Sequence, residues 1–315
     1  LSAIEPHNSQ LTVLAGDKRI ACGAVILCVG VRPEVSLARA AGLEIGELGG
    51  IRVDEQMRTS DPSIFAVGDA VEVKDLVTGK WTWVPLAGPA SREARVAADA
   101  ICGRPSRFPG ALGTSIVTAF GIAIAKTGLT EKMAQRDGIR YQKSYSHSPH
   151  HATYYPGAKP IGLKLLFDPQ DGRILGAQAV GEAGVDKRID VIAMAIQKGS
   201  TVFDLEEAEL CYAPQFGSAR DPINVAGFVA GNICRGDVEV AHWEDLDKAS
   251  QNSPPILIDV RTPGEHAAGS PPRAVNIPLG ELRSRLHELP SDRELWVHCG
   301  IGQRAYYAAR ILSQK

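Results

Sequence analysis

Thr59-Ser-Asp-Pro-Ser-Ile-Phe-Ala-Val-Gly-Asp-Ala70 is the stretch on which the reading of the fold turns. A polar turn leads into a short apolar run, Ile64 to Val67, that reads as a buried strand with Gly68-Asp69 at its carboxyl end. In open α/β sheets, ligands bind beyond the carboxyl ends of strands. A glycine there permits close backbone approach, and a carboxylate accepts hydrogen bonds from sugar-like hydroxyls. Gly-Asp is also common in plain turns, and on the dipeptide alone both readings stay open.

Upstream, Ala24-Val-Ile-Leu-Cys-Val29 is a continuous apolar run that predicts a strand buried on both faces, ending in Gly30-Val-Arg-Pro33. Cys28 within it reads as an inert small hydrophobe. Leu11–Leu14 and Arg19–Cys22 flank Ala15-Gly-Asp-Lys18 and predict a hairpin, and Gly49-Gly50-Ile-Arg-Val53 starts another short strand. Downstream, Pro89–Ile101 is alanine-rich with helical periodicity, stopped by Gly103.

Composition shifts near Pro109-Gly110. Beyond it come a strand-like segment from Thr114, a helix signalled by Thr130-Glu-Lys-Met133, and strands Lys164–Phe167 and Ile174–Val180 paired across Asp171-Gly172. Helices are predicted over Asp186–Lys198 and Pro222–Ile233. The segment 235–255 contains an acidic stretch and ends at Ser253-Pro-Pro255, a linker or a first turn. Strand Ile256–Val260, helix Leu279–Glu288, strand Glu294–His298 and helix Ala305–Leu312 then alternate as in a small parallel α/β domain.

At 315 residues the chain exceeds one ordinary core, so about two to three domains are expected. Its 44% hydrophobic and 22% charged residues are those of a globular protein. A net charge of -2 favours neither nucleic acid nor an anionic membrane as partner. No apolar run approaches the roughly 18 residues needed to cross a bilayer, and no signal-peptide pattern opens the chain. Cys22, Cys28, Cys102, Cys211, Cys234 and Cys299 show no C-x-x-C and no metal spacing, which points to a reducing, cytoplasmic setting. Ser146-His-Ser-Pro-His-His151 suggests a metal site, but no cysteine or carboxylate lies near it in sequence. It reads as a solvated loop, and no metal is expected.

Trp296-Val-His-Cys-Gly-Ile-Gly-Gln-Arg-Ala305 carries a second piece of chemistry. Gly300, Gly302 and Ala305 spell G-x-G-x-x-A, as in a dinucleotide fingerprint, while Cys299 stands at the lip of the same loop. Only residues 306–315 follow, so no second strand and no acidic residue about 20 positions on complete a nucleotide unit. The loop is then read as a sulfur site. Successive N–H groups form an anion nest, the following helix adds its dipole, and Arg304 adds a full charge. All favour a Cys299 thiolate and the persulfide it would form. A buried inert cysteine is the alternative.

Three of these stretches, in order, carry a resemblance. Thr59–Ala70 resembles the second FAD-binding motif of the pyridine nucleotide–disulfide oxidoreductases. Val25-Ile-Leu-Cys-Val-Gly-Val-Arg-Pro33 resembles the strand by which that family's chain leaves its NAD(P)H domain. Pro85-Leu-Ala-Gly-Pro-Ala-Ser-Arg92 resembles the start of the helix whose N-terminus points at the flavin. The resemblance implies FAD and NAD(P)H as cofactors, with Asp69 on a ribityl hydroxyl and Gly30, Gly68, Pro85, Leu86 and Ala87 in the FAD site. A helix N-terminus carries partial positive charge suited to the anionic edge of reduced flavin.

His151-Ala-Thr-Tyr-Tyr-Pro-Gly157, Leu163–Gly181 and Tyr212–Asn224 resemble the dimerisation domain of one branch, the coenzyme A-disulfide reductases and related persulfide or NADH oxidases. That implies a homodimer in which Tyr154 and Tyr212 hold the released coenzyme A thiolate, one reaching in from the partner subunit. A phenol is a suitable donor to a thiolate. Tyr155 reads as packing. Ile258–Gly269, Ala274-Val-Asn-Ile-Pro278 and His298–Arg304, with its C-x-x-G-x-R pattern, resemble a rhodanese homology domain in which Asp259 and Arg261 brace the loop. Ser270-Pro-Pro-Arg273 departs from that family's histidine-containing turn.

The expected fold is α/β and α+β: a partial FAD/NAD(P)-binding domain, an α+β dimerisation domain and a small parallel α/β rhodanese domain. Residues 1–33 would end the NAD(P)H-binding domain, 34–112 form the C-terminal part of the FAD-binding domain, 113–236 dimerise, and 240–315 form the rhodanese-like domain. The implied activity is NAD(P)H:disulfide oxidoreduction on coenzyme A disulfide, coenzyme A persulfide or polysulfide. Cys299 would carry sulfane sulfur from sulfane-sulfur donors. An NADH oxidase reducing oxygen at the flavin, or a non-catalytic dimerising sulfur carrier, stays open. The family's glycine fingerprints and redox cysteine find no match in 1–298. A chain truncated at its N-terminus, and lacking a last strand and helix, is the expectation.

Overall fold

The computed structural model describes residues 1–8, 10–246, 248–249 and 254–314; Ser253, where the expected linker begins, lies outside the described residues. The first unit is an antiparallel sheet of β1 (Ala3–His7), β2 (Gln10–Ala15) and β3 (Lys18–Cys22). β2 and β3 pair from Leu11–Cys22 to Ala15–Lys18, the expected hairpin.

The strand expected over 24–29 is not formed. Residues 24–35 have no regular structure, and Ile26 and Val29 are each 86% exposed, as is much of the run between them. An apolar run signals burial only where neighbouring strands supply ladder partners on both edges, and no described strand pairs with this one. Cys28 is likewise exposed, not a buried hydrophobe.

The second unit holds α1 (Ser36–Ala40), β4 (Ile51–Arg52), β5 (Val71–Lys74), β6 (Trp81–Thr82) and α2 (Ala87–Ile101). β4 runs parallel to β5, and β6 antiparallel to it. α2 buries Pro89, Glu93, Val96, Ala97 and Ala100, a stripe at helical spacing, against a core that includes Ile51, Met57, Val71 and Phe108. Gly103, at φ +71, ends it as expected. The strand expected at Ile64–Val67 reduces to a single bridge, Arg58–Phe65. Thr59 and Asp61 spend this backbone on turn bonds: Thr59 N donates to Ile64 O, and Ile64 N to Asp61 O. Gly68-Asp69 therefore precedes a ladder strand, β5, instead of ending one.

The third unit is a five-stranded antiparallel sheet, ordered β7 (Ser115–Ala119), β8 (Ile122–Gly128), β11 (Ile174–Gly181), β10 (Pro160–Phe167) and β9 (Gln142–Pro149). α3 (Glu131–Arg136) is capped by Thr130, whose side chain accepts from Met133 N. α4 (Val185–Gln197), α5 (Val202–Glu206) and α6 (Pro222–Cys234) complete it. Alternate residues of the sheet, Leu163, Leu165, Phe167, Ala177 and Ala179, bury against Ile189, Ile192, Ile196, Ile223 and Ala226 of the helices. Truncating a fully buried member such as Leu165 costs about 2–5 kcal/mol. The opposite sheet face leaves Ile122, Ile124 and Val180 exposed.

Ser146–His151 is a second correction. Most of it is β9, whose ladder with β10 pairs Ser146 with Leu163 and His147 with Gly162, and His151 is buried. The alternation of small serines reads as a strand packing on α6, not as a solvated loop. Among the described residues no cluster of three or more His, Cys, Asp or Glu is placed to hold a metal.

The last unit follows α7 (Trp243–Leu246). β13 (Val275–Asn276), β12 (Ile256–Asp259) and β14 (Leu295–His298) form a parallel sheet with β12 central, joined by α8 (Pro263–Ala267) and α9 (Gln303–Leu312). Ile258, Val260, Ile277, Leu282 and Ala308 form its core. The helix expected over Leu279–Glu288 is instead a series of turns closing on a short 3-10 segment, Leu286–Glu288. Ser284 Oγ bonds back to Glu281 O at 2.8 Å, and bonds three residues apart, such as Glu288 N to Arg285 O, tighten the turns.

Candidate functional site

Three constellations bear chemistry. In the first, Gly68 opens a 3-10 turn at φ +80 whose backbone N–H donates to Glu93 Oε2 at 2.7 Å. Asp69 lends its backbone carbonyl to Trp83 Nε1 at 2.7 Å, while its carboxylate is exposed and accepts nothing from the described residues. Leu86 is the N-cap of α2, with no side chain capping the helix, so Pro85, Leu86 and Ala87 lead into a 15-residue helix whose Ala87 and Gly88 N–H groups have no side-chain partner among the described residues. An unpaired carboxylate beside an uncapped helix N-terminus suits a hydroxyl-bearing ligand with an anionic edge.

Glu93 was not legible as a site residue. It lies on the buried stripe of α2, where burial pushes its carboxyl up and the Gly68 N–H partly offsets this. A carboxylate on an otherwise apolar helical face was the signal for it. Gly30 is not drawn into this constellation. It lies in the irregular segment that follows β3, exposed and at φ +79, with no non-neighbouring atom within 4 Å of where a Cβ would stand.

In the second constellation, Tyr154 and Tyr212, 58 residues apart, bring their hydroxyls to 2.9 Å. They are 74% and 49% exposed. Tyr154 follows β9 and Tyr212 precedes α6; the two loops are tied by Ala152 N donating to Gly217 O at 2.8 Å. The hydrogen bond to Tyr212 raises the Tyr154 phenol above its ordinary value. Within this one chain the two hydroxyls already form a pair. Tyr155 packs edge-on against His151 at 5.6 Å.

In the third, Cys299 stands between β14 and α9. Its Sγ accepts from Gly302 N at 3.2 Å and Ala305 N at 3.4 Å. Gly302 is the α9 N-cap at φ +92, a conformation that turns these N–H groups onto the sulfur and that a side chain rarely adopts. Arg304 does not reserve its charge for the sulfur: Glu265 binds it at 2.8 and 2.7 Å. Glu265 raises the guanidinium most, with Cys299 a lesser contributor, and in return Arg304 holds the Glu265 carboxyl well below its usual range.

Asp259 ends β12 beside His298 of β14, is fully buried, and accepts from Arg261 Nη2 at 2.6 Å, His266 Nδ1 at 2.9 Å and Ser270 Oγ at 3.2 Å. Arg261 also reaches Gly269 O at 2.7 Å, fastening the turn that departs from the family pattern. Glu265 and His266 lie within the Ile258–Gly269 stretch, but no local pattern assigns them a role, because their partners Arg304 and Asp259 lie on other elements.

Residues 1–94 match the family model described as pyridine nucleotide-disulphide oxidoreductase, 114–222 its dimerisation domain, and 242–315 the rhodanese-like domain. The NAD(P)H sulfur oxidoreductase (CoA-dependent) of Pyrococcus abyssi is 40% identical over 211 residues, 67% of this chain and 47% of that protein. The coenzyme A disulfide reductase of Staphylococcus haemolyticus is 34% identical over 66% of this chain and 47% of its own length. The chain thus spans about half the length of these relatives. The crystal structure of reduced CoADR-RHD from Bacillus anthracis superposes with a TM-score of 0.94 at 45% identity, covering 99% of this chain and 56% of that one. An NAD-dependent persulfide reductase from A. fulgidus gives 0.88 at 38%, covering 99% and 57%.

Proposed function

Because this chain belongs to the pyridine nucleotide-disulphide oxidoreductases and carries a rhodanese-like domain, we propose that its protein is an FAD-dependent NAD(P)H oxidoreductase acting on coenzyme A disulfide or persulfide. The observation that carries the reading is the Tyr154–Tyr212 hydroxyl pair at 2.9 Å. Two convergent phenols suit a soft anion such as a thiolate, to which they donate charge-assisted hydrogen bonds. Relatives named for coenzyme A-dependent sulfur oxidoreduction and coenzyme A disulfide reduction support the substrate class.

In the overall reaction, two electrons from NAD(P)H and one added proton cleave the S–S bond. Coenzyme A disulfide gives two thiols; the persulfide gives one thiol and hydrogen sulfide. FAD, when bound, carries the electron pair between nicotinamide and sulfur. Three features of this chain would hold it: Asp69 would accept from a ribityl hydroxyl, the Gly68 turn would admit close backbone approach, and the α2 N-terminus would offer N–H groups to its anionic edge. Tyr154 and Tyr212 hold the departing coenzyme A thiolate.

Cys299 carries sulfane sulfur. Its thiolate attacks the outer sulfur of a donor, the donor's S–S bond breaks, and the donor leaves with the electron pair. The new persulfide anion rests against the Gly302 and Ala305 N–H groups. A homodimer is supported by the exposed Ile122, Ile124 and Val180 of the sheet. The six free cysteines suit a reducing, cytoplasmic setting. No described helix is long and apolar enough to cross a membrane.

The test is NAD(P)H oxidation by the full-length flavoprotein with coenzyme A disulfide, coenzyme A persulfide, glutathione disulfide or oxygen as sole acceptor. Turnover should be fastest with the two coenzyme A substrates. Equal rates with glutathione disulfide, or turnover with oxygen alone, would contradict the reading.

A further inference from the structure

The tyrosine pair is exposed, yet its two loops hang from one buried ion pair. Arg188, in α4, is 1% exposed, and Asp221, the N-cap of α6, is 3% exposed. They meet bidentately: Nε to Oδ1 at 3.1 Å and Nη2 to Oδ2 at 2.6 Å. The same Nη2 donates to His150 O at 2.8 Å, and Nη1 to Gly184 O at 3.2 Å. One guanidinium therefore fastens the root of the Tyr154 loop, at His150, to the root of the Tyr212 loop, at Asp221.

Each root is rigid on its own account. His150 N donates to Lys159 O and Lys159 N to His150 Nδ1, both at 2.9 Å, closing the Tyr154 loop at its base. Asp221 accepts from Ile223 N at 3.1 Å, and Asn224 at N3 returns the bond and anchors to Ala208 O at 2.9 Å. Between roots and tips, Ala152 N bonds Gly217 O at 2.8 Å. No other described contact links Tyr154 to Tyr212 directly than their own hydroxyls. An arginine serves where a lysine would not, since only a planar fork can bind the carboxylate bidentately and a carbonyl at once.

We propose that the buried Arg188–Asp221 pair is the positioning device of the thiol-holding site, setting the separation of the Tyr154 and Tyr212 hydroxyls and through it the affinity for coenzyme A. The inference rests on the reading of those tyrosines given above. Arg188 touches no substrate; it acts through His150 and Asp221 on the two loops.

The experiment uses the full-length flavoprotein dimer and the variants Arg188→Lys, Arg188→Gln/Asp221→Asn, Tyr154→Phe and Tyr212→Phe. Four quantities are read: KM and kcat for coenzyme A disulfide, NAD(P)H:ferricyanide turnover, FAD content, and the Tyr154 phenolate absorbance against pH, taken as the difference from Tyr154→Phe. Arg188→Lys should raise KM about tenfold, as misplacement by a fraction of an ångström does, with kcat changed less and ferricyanide turnover and FAD content unchanged. The Tyr154 phenolate should appear at lower pH, because its partner hydroxyl has moved away.

Wild-type KM together with an unmoved phenolate titration in Arg188→Lys would overturn the inference. The double variant, which keeps an amide pair without buried charge, is read the same way if the lysine variant does not fold. Failure of both to fold would assign the pair to folding alone and equally overturn it. Should Tyr154→Phe and Tyr212→Phe handle coenzyme A disulfide like wild type, the functional reading itself fails. The phenolate titration of Arg188→Lys still decides the positioning role in that case.

Discussion

Glu265 holds Arg304 through two hydrogen bonds, Nη1 to Oε2 at 2.8 Å and Nη2 to Oε1 at 2.7 Å, so the one cation of the Cys299 loop is already paired. The sulfur's two backbone donors are Gly302 N and Ala305 N, and its pull on Arg304 is the lesser one. Glu265→Gln keeps the capping box with Thr262, since glutamine serves at N3, but frees the guanidinium. The released charge should speed alkylation of Cys299 by iodoacetamide at neutral pH, by up to about tenfold, since a nearby cation favours the reactive thiolate. Cys299→Ser is the blank. An unchanged rate would show that Arg304 acts on Glu265 alone.

Asp259 gives a stability prediction with a sign. Burial alone would raise its carboxyl, but Arg261, His266 and the Arg261 N–H hold it well below the usual range. A depressed folded value contributes stability above the unfolded value near 3.9, and that contribution is lost as pH falls below it. Asp259→Asn removes the shared acceptor of Arg261, His266 and Ser270 and should lower stability at pH 7. The gap to wild type should narrow in urea unfolding below about pH 3.9.

Glu131 predicts a second acid-sensitive point. Burial would raise its carboxyl, yet hydrogen bonds from Lys143, Lys164 and Tyr141 bring it down to about 2. Lys143 also reaches Glu244 of α7 at 3.3 Å, so this cluster straps the chain leading to the rhodanese-like domain onto β9. The contribution is present above about pH 4.3 and is lost as pH falls from there towards the folded value. Thermal melting between pH 6 and 3 should fall less steeply in Glu131→Gln than in wild type.

Asp69→Ala should weaken FAD retention by about 10- to 100-fold, the loss of one charge-assisted hydrogen bond. Flavin absorbance per subunit after dialysis checks this. Full flavin content would contradict the assignment of Asp69.

What could be read from sequence followed the range of the interactions involved. The β2–β3 and β10–β11 hairpins, the Thr130 cap and α2 were legible because turn dipeptides, caps and helical stripes are local signals. The run 24–29 was misread because burial is not a property of a segment but of its neighbours, and no described strand pairs with it. The same distinction divides the site. Cys299, Gly302, Asp69 and the two tyrosines stand in recognisable local patterns. Glu93, Glu265 and Arg188 act through partners 25, 39 and 33 residues away, which no local pattern reveals.

The most direct test of the central claim is the steady-state kinetics of Tyr212→Phe in the full-length flavoprotein with coenzyme A disulfide. Removing one hydroxyl of a pair 2.9 Å apart should reduce kcat/KM for coenzyme A disulfide by about tenfold or more, a hydrogen bond to a charged group contributing about 1.5–3 kcal/mol. FAD content and ferricyanide reduction should be unchanged. Wild-type kcat/KM for coenzyme A disulfide in that variant would contradict the account.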